Sequence, residues 1–297
     1  MSDKTKKSVV IALGYFDSVH IGHRAVIASA KRIAEEKGCI AAVFTFRGNL
    51  KARLYGGDRK AVYSVEERRR CLKEVGVSEI YFAPVSRAFL NKTPSEFLDF
   101  LNELYSVKGY VCGEDYRFGK GGEGDVAFLK KYALSRGQSV YAQPDFKVDG
   151  VKVSTTGIKA MLENGDIEKA GVFLGGSYFV TGKVFEDRKV GRTIGFPTVN
   201  IRADSDKIRI KDGVYAGHVF LNGKKYKTVI NYGARPTFDL TATLIEAHII
   251  GFSGVLYGKK ITLFFDFFIR DIQKFHSPAE LAERLKKDVE RAEGNIL

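Results

Sequence analysis

"VVIALGYFDSVHIGH", residues 9–23, joins an apolar run to a short polar turn and then to the start of a helical pattern. Five consecutive apolar residues suit a strand covered on both faces, as in a parallel sheet. The helix that follows begins around Ile21, so the turn ends on unsatisfied backbone N–H groups at the positive end of a helix dipole. A phosphate is favoured there. His20 and His23 stand at i and i+3 on one helical face, and Gly22 between them lets a ligand approach the backbone. Imidazole N–H groups in that position can donate to phosphate oxygens whose charge shifts during an in-line displacement. The plainer reading is two polar residues that open a helix.

Apolar runs continue at a regular beat: "CIAAVFTF" (39–46), "EIYFAP" (79–84), "GYVCG" (109–113) and "SVYAQP" (139–144). They begin about thirty residues apart, the length of a βαβ unit. Helical patterns fall between them at 21–37, 64–75, 94–105 and 125–136. "SVEERRRCLKEVG" carries Ser64, Glu67 and a terminal Gly76, a capping box and a C-cap. "KTPSEFLDFLNELY" places Pro94 in its first turn. Residues 8–150 therefore predict an α/β doubly wound parallel sheet of Rossmann-like type. Ligands of such sheets bind at the carboxyl ends of the strands, where "GYFDSVHIGH" sits.

The rhythm changes near Gly175-Gly176. "YFVTGKVF", "GVYAGHVFL", "KKYKTVIN", "ATLIEAHIIG" and "KKITLFFDFFIR" follow without long helices between them. Close spacing and turn residues (Asn222-Gly223, Gly258) predict a small antiparallel β-barrel. Leu281, Leu285 and Val289 recur in steps of four, so a closing helix is expected over 277–293. The expected domains are 1–174 and 175–297.

The chain has 297 residues and a net charge of +13, from 48 basic against 35 acidic side chains. That excess suits anionic partners without choosing among them. It is spread along the chain; "KARLYGGDRK" and "EERRR" are short clusters that read as solvated surface. Cys39, Cys71 and Cys112 are widely spaced, with no CxxC, which fits a reducing cytoplasm and neither a disulfide framework nor a zinc site. The N-terminal apolar run is too short for a signal peptide, and no 18-residue apolar run predicts a membrane span.

"GYFDSVHIGH" resembles the H-x-G-H signature of the nucleotidyltransferase superfamily, and its Gly-x-Phe-Asp opening is similar to the bacterial bifunctional riboflavin kinase/FMN adenylyltransferase family. "GEDYRFGKGGEGD" (113–125) is similar to that family's Gly-x-Asp-Phe-x-Phe-Gly segment. "STTGIKAMLENGDIEKAGVFLGGSYFVTGKV" resembles its Ser-rich exit from the first domain. The resemblance runs over nearly the whole chain. It implies that His20 and His23, with Gly14, Phe16, Asp17 and Gly22, hold ATP, and that the FMN phosphate attacks the α-phosphorus to release pyrophosphate. It further implies that Ser154, Thr155, Thr156 and Lys159 close over the triphosphate, and that Asp115 and Phe118 help form the nucleotide or flavin site. This sequence departs from the family at Ser18 (usually Gly), at Lys159 (usually Arg), and in "FTFRGNLKARL", which lacks a His-Pro pair. No GxxxxGK[ST] is present, so a P-loop is excluded.

"GRTIGFPTVNI" (191–201) resembles the Gly-Phe-Pro-Thr-x-Asn signature of riboflavin kinases. Gly191 and Gly195 allow backbone to run close to phosphates, and Pro197 stiffens the turn. Thr198 and Asn200 offer oxygen ligands suited to Mg²⁺ carrying ATP; Arg192 lies in the same nucleotide-binding stretch. "TLIEAHIIGF" (243–252) resembles the segment carrying the kinase's general base, which falls on Glu246. Alternation alone puts Ile245, Ala247 and Ile249 on one face and Leu244, Glu246 and His248 on the other, which makes Glu246 a surface residue. "VINYGARPTF" and "FIRDIQKF" also match and would bring Asn231, Arg235 and Arg270 to the flavin. Asp187 stands where Gly is usual and Gly251 where Asp is usual.

The resulting expectation is an enzyme that phosphorylates riboflavin with Mg²⁺ and ATP and then adenylylates FMN to FAD. A kinase with a degenerate or differently specific first domain is the alternative, and a nucleic-acid-binding protein the more distant one. For the latter, aromatic and basic residues do not interleave as a stacking platform. The sequence does not speak to oligomeric state.

Overall fold

In the computed structural model, which describes residues 6–56, 60–186, 195–233 and 244–294, the chain divides into two units between Thr155 and Thr156.

The first unit runs β1 (Ser8–Leu13), α1 (Ile21–Glu36), β2 (Ile40–Arg47), α2 (Leu50–Tyr55), α3 (Val65–Glu74), β3 (Glu79–Pro84), α4 (Arg87–Leu90), α5 (Pro94–Leu104), β4 (Ser106–Gly113), α6 (Val126–Leu134) and β5 (Ser139–Gln143). The five strands are parallel in the order β3-β2-β1-β4-β5. The central strand β1 is buried after its first residue, as its unbroken apolar run requires, while the edge strands β3 and β5 stay half-exposed. Helix ends follow the sequence signals. Ser64 and Glu67 form the predicted capping box of α3, and Pro94 sits in the first turn of α5, where Thr93 and Glu96 close a second box. Phe44, Phe97, Leu98, Leu101, Tyr110 and Leu129 fill the core on one side of the sheet.

The strand order reverses between β1 and β4. That reversal opens a crevice at the carboxyl ends of the two neighbours. The loop after β1 is "GYFDSVHIGH" and the segment after β4 is "EDYRFG". Beyond β5 the chain makes a two-stranded hairpin, β6 (Lys147–Val148) and β7 (Val151–Lys152), which periodicity did not signal. Its turn residues Asp149 and Gly150 both have positive φ (49° and 79°), the requirement of a type I′ turn.

Helices α7 (Thr155–Asn164) and α8 (Ile167–Leu174) lead into six strands: β8 (Tyr178–Lys183), β9 (Thr198–Arg202), β10 (Gly213–Leu221), β11 (Lys224–Gly233), β12 (Leu244–Ile249) and β13 (Lys260–Arg270). All pairs are antiparallel, in the order β8-β13-β10-β11-β12-β9. Asn222 and Gly223 turn β10 into β11, both with positive φ (50° and 80°), as predicted for a two-residue hairpin. The sheet curls until its edges meet. A Cβ on Gly182 of β8 would lie 2.9 Å from the Arg202 carbonyl oxygen of β9, and Phe185 bridges Asn200 just beyond. Only glycine permits that approach, and the barrel closes through it. Helix α9 (Pro278–Gly294) packs on β10 and β11, with Val289 and Ala292 against Val214, Val229 and Phe267. Arg270, at the end of β13, pairs with Asp288 of α9 at 2.7 Å, with side chains 9% and 1% exposed.

Candidate active sites

In the first unit the loop after β1 is shaped by two left-handed residues, Phe16 (φ 50°) and Val19 (φ 44°). Ser18, where the resembled family has glycine, is not one of them; its hydroxyl lies 3.1 Å from Thr155 Oγ1 and ties the loop to the start of α7. Gly14 is needed for space, since a Cβ there would meet the Phe16 ring at 2.8 Å. Asp17 is buried and accepts the Val62 N–H at 3.0 Å.

His20 is the N-cap of α1. Its Nδ1 accepts the His23 backbone N–H at 3.1 Å, a task usually done by Ser, Thr, Asp or Asn. Acceptance at Nδ1 leaves the proton of the neutral ring on Nε2, which makes His20 a donor at that atom. Burial holds its pKa down at about 4, so the ring is neutral at pH 7. The His23 ring stacks on it with centroids 3.6 Å apart and planes 9° off parallel, and packs edge-on to Phe16 at 5.2 Å. A Cβ on Gly22 would stand 3.1 Å from the His20 ring, so the glycine makes room for that ring as well as for a ligand. The N–H groups of Ile21 and Gly22 have no hydrogen-bond partner among the described residues, and no acidic side chain occupies the first turn of α1. Together these groups form an anion-receptive cradle with one neutral imidazole donor.

Of the other residues expected here, Ser154 and Thr155 are half-buried at the start of α7. Thr156 and Lys159 follow on the same helix, exposed and half-buried respectively. Asp115 is exposed after β4, paired with Lys152 at 3.0 Å; the same ammonium holds Asp145 at 2.8 Å. Phe118 is buried in the core, stacked on Tyr116 at 5.6 Å and packed on Phe97. Asn49 caps the short helix α2 in the stretch that lacks the His-Pro pair.

Sequence reading missed Arg68. The first arginine of "EERRR" was expected on a solvated face, yet it is 1% exposed. Its Nη1 donates to the Tyr15 carbonyl at 3.1 Å, and its Nη2 to the carbonyls of Phe46 at 2.8 Å and Gly48 at 3.4 Å. Tyr15 belongs to the histidine loop and Phe46 to β2. Helical spacing held the signal, since Arg68 is one turn before Leu72 on the face that α3 buries.

In the second unit a polar row crosses three strands. The register sets Asn200 of β9 opposite Glu246 of β12, and Glu246 opposite Asn231 of β11. Thr198, two residues before Asn200, donates from its hydroxyl to Glu246 Oε1 at 2.7 Å. Alternation reads correctly: Ile245, Ala247 and Ile249 are buried and Glu246 is half-buried on the other face. Asn200 and Asn231, its register partners, share that other face. Asn200 is 7% exposed, and its Oδ1 has no hydrogen-bond partner among the described residues. His248, which sequence reading passed over, donates from Nδ1 to the Pro197 carbonyl at 2.9 Å and packs edge-on to Phe196. It fixes the turn that aims Thr198. A cleft beside Thr198 is lined by Val184, Pro197, Val199, Ile249, Phe252 and Leu256. Gly195 has φ 82° with open space around it, and Gly251 has φ 69°, a conformation that suits glycine better than the family's aspartate. Asn231 is exposed, whereas the Arg270 guanidinium faces Asp288. Gly191, Arg192, Asp187 and Arg235 lie outside the described residues.

Two family profiles match consecutive stretches of the chain: FAD synthetase over residues 2–157 and riboflavin kinase over residues 174–296. The chain is 34% identical to the bifunctional riboflavin kinase/FMN adenylyltransferase of Bacillus subtilis (strain 168), over 95% of its own length and 91% of the relative's. It belongs to the bifunctional riboflavin kinase/FMN adenylyltransferase family. The Escherichia coli (strain K12) member of that family is 30% identical, with 97% and 93% covered. A solved structure described as a macrolide-efflux protein from Streptococcus pneumoniae superposes with a TM-score of 0.88 at 29% identity, covering 100% of this chain and 96% of that one. Among the described residues of this family member no helix is long and apolar enough to cross a membrane.

Proposed function

We propose that the chain converts riboflavin to FMN in a module spanning residues 175–297 and FMN to FAD in a module spanning residues 1–174. The observation that carries this reading is the 2.7 Å contact between Thr198 and Glu246, 48 positions apart, which brings the resembled metal-ligand motif onto the resembled base.

In the first step the riboflavin 5′-hydroxyl attacks the γ-phosphorus of ATP and ADP leaves. Glu246 accepts the hydroxyl proton, with Thr198 orienting its carboxylate. Asn231, exposed on the neighbouring strand, would contact the flavin's polar groups. Asn200 Oδ1 and the Thr198 hydroxyl are hard oxygen donors, and the first is buried without a partner among the described residues, so the pair fits Mg²⁺. Among those residues no group of three His, Cys, Asp or Glu could hold a metal by itself, so ATP phosphates would complete the coordination. Bound there, the ion supplies charge neutralisation on the transferring phosphate.

In the second step an FMN phosphate oxygen attacks the α-phosphorus of ATP, and pyrophosphate leaves. The nucleophile is already anionic, so no general base is required. His20 Nε2–H, His23 and the Ile21 and Gly22 N–H groups donate to the phosphate oxygens. Ser154, Thr155, Thr156 and Lys159 serve the triphosphate, and Asp115 serves the nucleotide or flavin. The three free cysteines suit a reducing compartment, and we place the enzyme in the cytoplasm.

The test is incubation of the purified protein with riboflavin and Mg-ATP, followed by chromatography of the flavins. FMN and then FAD are expected. FMN alone supports a single-activity kinase, and unchanged riboflavin overturns the proposal.

A further inference from the structure

Arg68 has no role in the reading above, yet its placement is unusual. It is one of the largest fully buried side chains. Every hydrogen bond it makes goes to a neutral oxygen: the carbonyls of Tyr15, Phe46 and Gly48, and Thr45 Oγ1 at 3.5 Å. Burying a guanidinium is costly unless it is paired. No carboxylate among the described residues lies within ion-pair distance of it. Burial draws its pKa down, opposed by Tyr15 and Asp17. The ring faces of Tyr15 and Phe82 lie 5.0 and 5.8 Å from its Cζ, which contributes cation–π attraction and no counter-charge.

The geometry of these bonds joins two separate pieces of chain. Tyr15 begins the loop that ends in His20 and His23, whereas Phe46 and Gly48 close β2, the strand beside β1. Thr45 donates its hydroxyl to the same Tyr15 carbonyl at 2.6 Å, so this oxygen is held from two sides. The Tyr15 hydroxyl in turn donates to Gly48 and accepts from Leu50 N–H, completing a closed clamp. Phe16 and Val19, both left-handed, lie within the clamped loop; such conformations persist only where surroundings hold them.

We propose that Arg68 is a positioning residue for adenylyl transfer: its buried fork fixes the histidine loop against the end of β2. The inference rests on the assignment of adenylyl transfer to the first unit. A lysine keeps the charge but lacks the planar fork that reaches three carbonyls at once. A misplacement of about 1 Å in such a site costs on the order of 100-fold in rate.

The experiment compares wild type, Arg68→Gln and Arg68→Lys for FAD formation from FMN and Mg-ATP. FMN formation from riboflavin by the same preparations controls for folding. The expected result for Arg68→Gln is a fall of about 100-fold in the kcat of FAD formation, with KM values for FMN and ATP within about 3-fold of wild type. Arg68→Lys should recover about one tenth of the wild-type rate, and FMN formation should be unchanged in both. Histidine-labelled NMR supplies a readout independent of turnover. Loosening the loop should move the His20 titration from about 4 towards 6.5. Full FAD-forming activity in Arg68→Gln, or an unmoved His20 in either variant, overturns the proposal. Wild-type protein that makes no FAD overturns the adenylyl-transfer reading instead, and the His20 titration then decides the role of Arg68 alone. Should Arg68→Gln not fold, Arg68→Lys is judged by the same kcat and titration criteria.

Discussion

The candidate site of the first unit is built largely from backbone and that of the second from side chains. At the end of β1 the receptive groups are the N–H donors of a helix start and an imidazole whose tautomer is set by capping that helix. Across β9, β12 and β11 the side chains of Asn200, Glu246 and Asn231, proposed for metal, proton and flavin, are brought abreast by register. The first arrangement depends on ten consecutive residues. The second depends on three strands meeting in one register, and a one-residue slip would turn Glu246 into the core. A helix start therefore concentrates a site in sequence, and a sheet disperses it.

The contrast breaks most sharply at the base. Glu246→Gln keeps shape and the contact to Thr198 but cannot accept a proton. The kcat for riboflavin phosphorylation should fall by about 100- to 10,000-fold, with FAD formation from supplied FMN unchanged. Chromatography of flavins from the two separate assays checks it. Loss of both activities in folded protein would mean that the two units do not hold separate sites.

His23→Ala is the converse. It removes one donor and the ring stacked on His20 at 3.6 Å, while the backbone N–H that His20 accepts remains. FAD formation should drop by about 100- to 1,000-fold, the loss usual for one donor at a developing charge, and FMN formation should persist.

This difference also explains what could be read in advance. The parallel sheet, its helix caps, the Asn222-Gly223 turn of the barrel and the closing helix follow from local patterns, because periodicity, capping and turn chemistry act over a few residues. The histidine loop was legible for the same reason. Glu246 was legible only through resemblance, since alternation reports which face a residue takes and not what lies beside it on the next strand. His248 and Arg68 were missed because their function is to hold a carbonyl far away in sequence. Arg68 was hidden further by its neighbours Arg69 and Arg70, which make a buried fork look like part of a basic surface.

The neutral His20 gives the comparison a pH dependence confined to the first unit. Burial keeps its folded pKa at about 4, below the ordinary 6.5. As pH falls, the unfolded chain takes up this proton first. The stability due to the neutral ring is therefore complete above pH 6.5 and is lost as pH falls from 6.5 to 4. At about 1.36 kcal/mol per pH unit the loss is on the order of 3 kcal/mol. His20→Asn, which can still cap α1, should flatten the dependence. Urea unfolding of wild type and variant at pH 7 and pH 4.5 should show their stability difference changing by about 2 to 3 kcal/mol. An equal acid sensitivity in both proteins would place the titrating group elsewhere.

The smallest effect separates a surface contact from a functional one. Lys152 joins Asp115 and Asp145 across the hairpin after β5, and its pKa is raised first by its bond to Asp145 and then by that to Asp115. All three side chains are largely open to water, at 45%, 76% and 41% exposure, so salt and solvent screen the pairs. Lys152→Ala should therefore change stability by less than about 1 kcal/mol, an effect that shrinks further as salt is added. Its consequence for catalysis has a definite sign. Removing the ammonium leaves the Asp115 and Asp145 carboxylates uncompensated near the crevice between β1 and β4, where the anionic substrate FMN is expected. The KM for FMN should rise several-fold at low salt and return towards wild type at high salt, while kcat stays level. A salt-independent loss of kcat would instead make Lys152 a participant in the transfer itself, and the first unit would then share the second's reliance on side chains.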